Sequence, residues 1–86
     1  SQIIKTEKFI TIPNKNIIYI GALGYNVKEG DLSIHQIILN ADLKVEQHNI
    51  IPVHERVRDM IYIEELNKIF LFLESSGSIG VLEVDN

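Results

Sequence analysis

An all-β chain of antiparallel strands is what this sequence predicts, on three observations. Ile and Val number 16 and 6 against only two Ala, Ala22 and Ala41, a balance that favours pleated surfaces over helices. The apolar residues fall in short runs separated by clusters of Asn, Gly, Ser and Asp, the punctuation of a strand meander. A strand-turn-strand pattern also recurs: Phe9-Ile-Thr-Ile, an Asn-Lys turn and Ile17-Ile-Tyr-Ile return as Met60-Ile-Tyr-Ile, Leu66-Asn67-Lys68 and Ile69-Phe-Leu-Phe.

Seven main strands are expected in order. Phe9–Ile12 reverses through Pro13-Asn14-Lys15-Asn16 into Ile17–Leu23, because the fixed φ of Pro13 and the left-handed tolerance of Asn suit a tight turn. Leu32–Leu39 follows a loop and reverses at Asn40-Ala41-Asp42-Leu43 into Lys44–Ile50, which stops before Pro52. Arg56–Ile63 turns at Glu64 to Lys68 into Ile69–Glu74, and Ser75-Ser76-Gly77-Ser78 leads to Ile79–Val84. The competing local pattern is a helix over Glu55–Lys68, with Val57, Met60 and Ile61 at helical spacing. Glu64 interrupts its apolar stripe, and Ile61-Tyr62-Ile63 favours a strand.

The repeat has an offset of 60 − 9, about 51 residues, close to the 40 to 50 of four-stranded propeller blades. Gln2-Ile3-Ile4 is similar to Asn49-Ile50-Ile51, as an outer strand of a preceding blade would be. The chain therefore divides into an outer strand (1–8), a complete blade (9–52) and three strands of a second blade (53–86). That is about two blades of a β-propeller, and two units are fewer than stacked repeats need.

Composition narrows the partners. With 86 residues and 9.8 kDa the chain holds one small domain, and no apolar run approaches the roughly 20 residues of a membrane span. No cysteine is present, so neither a disulfide framework nor a thiolate zinc site is available. A net charge of −4 lacks the clustered cations that a phosphate backbone requires. The start has no basic segment followed by an apolar stretch, so no signal peptide is expected within it.

Gly21-Ala22-Leu23 after Ile-Ile-Tyr-Ile, then Glu55-Arg56-Val57-Arg58-Asp59, a hairpin, and Gly77-Ser78-Ile79-Gly80-Val81-Leu82 follow one another in an order that resembles the C-terminal blades of the soluble aldose sugar dehydrogenases, the glucose/sorbosone dehydrogenase family. The resemblance implies a six-bladed propeller that holds pyrroloquinoline quinone (PQQ) with calcium and oxidises a sugar at its anomeric carbon, in the periplasm or outside the cell. It assigns Arg56 and Arg58 to the carboxylates of the quinone. Guanidinium forks suit carboxylates, and a period of two places both arginines on one strand face with Val57 opposite. Arg56 and Arg58 are the chain's only arginines. The alternative reading is a pair of strand arginines meeting Glu or Asp on a neighbouring strand.

Two positions depart from the family pattern: Gly24 stands where a cofactor-binding lysine follows Gly-Ala-Leu, and Phe72-Leu73-Glu74 replaces Leu-Thr-Asp. The family's general-base histidine belongs to an earlier blade. The chain is accordingly read as a catalytically incomplete fragment of a sugar dehydrogenase-like propeller, with a non-catalytic β module for assembly or carbohydrate binding as the alternative. Self-association is expected in either case, as a cyclic trimer in which Gln2–Lys5 completes a neighbour's second blade, or as a dimer of edge strands.

The remaining polar residues read as structural. His35, His48 and His54 lie 13 and 6 residues apart without metal-ligand spacing, and His54 precedes the arginine pair. Glu64 and Glu65 fall in a turn. Gly21-Ala-Leu-Gly24 lacks the lysine of a phosphate loop.

Overall fold

The computed structural model describes residues 3–6, 8–21 and 33–84. Seven strands cover them: β1 (Ile3–Lys5), β2 (Asn16–Ile20), β3 (Ser33–Leu39), β4 (Val45–Pro52), β5 (Val57–Ile63), β6 (Lys68–Leu73) and β7 (Ser78–Glu83). No helix occurs among the described residues, and none is therefore long and apolar enough to cross a membrane. Every strand pairs antiparallel with its neighbour in sequence, giving one sheet in the order β1-β2-β3-β4 and another in the order β5-β6-β7.

Four of the expected turns form, each through a residue in the left-handed region, and the last three of them close the β3–β4, β5–β6 and β6–β7 hairpins. Pro13-Asn14 reverses the chain with Asn14 at φ 65° and a Lys15 N–H to Ile12 C=O bond of 3.1 Å, the pattern of a turn with proline first and a left-handed residue second. At the β3–β4 turn Asn40 Oδ1 accepts from the N–H groups of Asp42 and Lys44 at 2.9 and 3.0 Å, while Leu43 sits at φ 63°. Asn67 and Gly77 take the same conformation in the β5–β6 and β6–β7 turns.

The first expected strand is the main departure. Phe9–Ile12 is not extended pairing backbone, and the edge of β2 that it would fill is taken by β1, with Ile3 opposite Ile20 and Lys5 opposite Ile18. The outer strand expected of a preceding blade is thus the first strand of the four-stranded sheet, which runs from Ile3 to Pro52 rather than from residue 9. The physical reason lies in Phe9. Its buried ring stands edge-on to Tyr19 (centroids 5.8 Å apart) and to Tyr62 (6.2 Å), so it plugs the gap between the sheets from a loop. Smaller differences concern ends: β4 continues through Pro52, which an edge strand tolerates, and Leu23 and Leu32 lie outside the described residues.

The two sheets pack face to face and approach most closely along β1 and β5. Ile17, Tyr19, Ile34 and Ile38 from the first sheet meet Val57, Met60, Ile69 and Leu71 from the second, with Phe9 between them. The repeat in the sequence carries this core. Ile17 and Tyr19 correspond to Ile69 and Leu71, and Phe9 corresponds to Met60; all six are buried. Tyr19 also directs its hydroxyl into a polar row. The Gln36 amide donates to Tyr19 Oη at 2.9 Å, Asn49 donates to Gln36 Oε1 at 2.8 Å, and Gln47 donates to Asn49 Oδ1 at 3.0 Å.

The outward faces also carry apolar residues, which on the first sheet stand beside Lys5, Asn16, His35 and His48. Alternation along paired strands puts Ile3, Ile18, Ile20, Ile37, Val45 and Ile50 on the outer face of the first sheet. It puts Ile61, Phe70, Phe72, Ile79 and Val81 on the outer face of the second. Ile3, Val45, Ile50, Ile61 and Ile79 are each more than half exposed.

Candidate functional site

The arginine pair sits where β5 begins. Val57 opposes Leu73 and Asp59 opposes Phe72, so two residues of β5 face a single step of β6 and Arg58 occupies the bulge between them. A bulge bends its strand and re-aims the side chain it carries. Arg56 lies just before the strand, and its carbonyl accepts the Glu74 N–H at 3.0 Å. Val57, between the arginines, is fully buried. Both guanidiniums stand on the exposed side, and Arg58 does so within a bulge that interrupts the period of two.

They converge on one carboxylate. Arg58 Nη1 donates to Glu74 Oε1 at 2.9 Å, and Arg56 Nε lies 3.9 Å from Glu74 Oε2. Glu74 opens the β6–β7 turn, which is held to the same segment a second time: the Glu55 carboxylate accepts from the Ser76 N–H at 2.8 Å and from its hydroxyl at 3.1 Å. The Ser76 and Ser78 hydroxyls are 2.6 Å apart. Two cations and two carboxylates thus balance locally. The arginine side chains are 59% and 66% exposed, which keeps these pairs in high dielectric and limits what each contributes to stability. Arginines meeting a glutamate of the adjoining strand was the alternative reading of this motif, and that contact is present.

Asp59 lies on the outer face of the second sheet and accepts from the Met60 N–H at 2.9 Å. Beside it runs an open groove of about 240 Å³ lined by Ile61, Phe70, Phe72 and Ile79. His54 is exposed in the bend between β4 and β5, at φ 69°. Glu64 is a turn residue as expected, bridged by Lys8 at 3.0 Å, which raises the Lys8 pKa through hydrogen bonding and charge attraction. Ala22, Leu23 and Gly24 lie outside the described residues.

The structure also joins two residues that spacing left apart. His35 Nδ1 and His48 Nε2 are 2.7 Å from each other across the β3–β4 hairpin. Thirteen residues of separation hide this contact in a linear reading. Folding the sequence about the Asn40–Leu43 turn reveals it, since Ile37 pairs with His48 and His35 with Ile50.

The gap between Arg56 and Arg58 accommodates one carboxylate, and Glu74 of the same chain fills it, so a quinone carboxylate would have to displace Glu74. Calcium needs six to eight oxygen donors, and no group of three or more His, Asp or Glu side chains gathers in a metal-holding arrangement among the described residues. Comparison with protein-family models, with curated proteins and with solved structures finds no match to this chain.

Proposed function

We propose that this chain is a non-catalytic β module, two blades of a six-bladed ring that three copies complete by stacking sheet on sheet. One observation carries the reading: the outer face of the second sheet is apolar along Ile61, Phe70, Phe72, Ile79 and Val81, and all of these but Phe70 are exposed. Sheets buried on both sides read as continuous apolar runs, whereas a free antiparallel face normally alternates with polar residues. The sheets approach each other along β1 and β5, and in this reading these strands would lie nearest the axis of the ring. Because β1 is engaged with β2 in its own chain, the ring closes by facing sheets rather than by lending Gln2–Lys5 to a neighbour. Heterologous contacts that close in this way give cyclic symmetry.

Light scattering after size exclusion tests this. A mass of about three chains is expected, and Ile79→Lys with Val81→Lys, which places charges on the outer face of β7 without touching the core, should return monomers. A wild-type monomer at all concentrations would overturn the reading.

A second reading, the sugar dehydrogenase-like parent, is favoured by the convergence of Arg56 and Arg58 on a single carboxylate. In it the pair grips a carboxylate of PQQ once Glu74 withdraws; when bound, the quinone would supply the redox chemistry. Glu74→Gln should then tighten quinone retention and Arg58→Ala should weaken it, measured by equilibrium dialysis with and without calcium. Equal retention by both variants would remove the arginines from any cofactor site.

A further inference from the structure

We propose that the outer edge of β7 is a strand-addition site, which takes an extended, cationic, alternately apolar peptide segment of another protein as a fourth strand of the second sheet. The site is the edge of that sheet and needs no stacking of its faces.

Among the described residues β7 pairs with β6 alone. An edge strand turns a row of N–H and C=O groups outward, and another strand satisfies that row in register. The first sheet marks where such a strand would lie. Ile17 and Tyr19 of β2 hold the repeat positions of Ile69 and Leu71 of β6; Tyr19 is opposite Gln36 of β3, and Leu71 is opposite Gly80 of β7. β7 is thus the counterpart of β3, and β3 has β4 on its far side, with Ile50 opposite His35 and His48 opposite Ile37. Ile79 and Val81 take the places of His35 and Ile37, so a fourth strand would set a side chain opposite each of them.

The residues of β7 define the occupant. Ile79 and Val81 lie on the outer face and are 61% and 43% exposed, and apolar partners directly opposite would cover them. Glu83 follows on the same face. It bridges to Lys68 at 3.3 Å while its side chain stays 61% exposed, which leaves carboxylate lone pairs for a second cation. Every pairing in the two sheets is antiparallel, and an added strand of that sense brings its amino-terminal end to Glu83. The segment therefore reads Lys or Arg first, then apolar residues at the third and fifth positions.

A second copy of β7 suits the edge less well. Antiparallel pairing about Gly80 sets glycine against glycine and Ser78 against Leu82, and pairing about Val81 sets Glu83 against Ile79. The net charge of −4 also favours a cationic partner over another copy of the chain.

The probe is the end-blocked peptide Lys-Thr-Val-Thr-Val-Thr, followed by fluorescence polarisation of a labelled form and by amide hydrogen exchange on the whole chain. Saturable binding is expected, with exchange slowed in Ser78–Glu83 and unchanged in Val45–Pro52. Replacing the peptide's Lys by Glu should weaken binding about threefold or more, and Glu83→Lys in the protein should reverse that preference. N-methylation of one alternate set of peptide amides should abolish binding and that of the other set should spare it, because only one set faces β7. No uptake of the peptide by the wild type, equal affinity of the two methylated peptides, an unchanged preference in Glu83→Lys, or slowed exchange in β4 instead of β7 would each overturn the site. A fall in the light-scattering mass of the protein on adding peptide would also overturn it, by assigning the edge to a second copy.

Discussion

The two sheets are built on the same repeat but finished differently. The four-stranded sheet ends on β4, an edge carrying Glu46, Gln47, His48 and Asn49 and closing at Pro52, and a row of amides ties that edge back to Tyr19. The three-stranded sheet ends on β7, Ser-Ile-Gly-Val-Leu-Glu, without lysine or proline. Charges, prolines and irregularities are how natural sheets blunt an edge. The difference lies in how the edges are finished: β4 is blunted by polar side chains and Pro52, and β7 carries few such devices.

Substitutions can break or sharpen this contrast. The largest effect belongs to the residue both sheets share. Phe9→Ala should lower stability by about 3–5 kcal/mol in urea unfolding, in line with other buried Phe truncations; a loss below about 1 kcal/mol would mean that the loop is not part of the core. Tyr19→Phe probes the polar row of the first sheet alone and should cost about 1 kcal/mol, a typical net hydrogen-bond contribution. Burial raises the Tyr19 pKa above its usual value, with the Gln36 hydrogen bond partly opposing it. Because the folded value is the higher one, this group's contribution is full below pH about 10 and falls as the pH rises through the folded pKa. The difference in stability between wild type and Tyr19→Phe should therefore shrink in alkaline solution.

Turn chemistry separates the sheets at a similar scale. The β6–β7 hairpin places Gly77 at φ 65°, where glycine is unstrained, but the β3–β4 hairpin places Leu43 at φ 63°. Leu43→Gly should raise the stability of the first sheet by up to about 1 kcal/mol, since a side chain in this region costs about 1–2 kcal/mol and glycine returns part of that as chain entropy. Differential scanning calorimetry would register the change. Arg58→Ala should have the smallest effect, below about 1 kcal/mol and diminishing with salt, because its pair with Glu74 is exposed.

Six of the seven strands were legible from alternation and turn residues, since Asn, Gly and Pro at the reversals leave few other conformations. The exception is instructive. Phe9-Ile-Thr-Ile matches Met60-Ile-Tyr-Ile residue for residue in its apolar positions, but the ten residues between β1 and β2 let Ile3–Lys5 claim the edge first. Pattern reports burial there correctly and pairing incorrectly. At the arginines, the shared side of Arg56 and Arg58 was readable from period two. Their partner was not, because Glu74 reaches them through a bulge that no local preference marks. The His35–His48 contact required only the hairpin register, so it was recoverable by folding the sequence on its own turn.

All strand pairings among the described residues join consecutive segments. No strand waits for a distant one to be synthesised, and the longest connection to be closed has about a dozen residues, which keeps the entropic cost of ordering low. The first sheet can assemble while the residues after Pro52 are still emerging from a ribosome. The second then condenses onto an existing template, so a nick at the exposed bend around His54 should leave two peptides able to find each other again in solution.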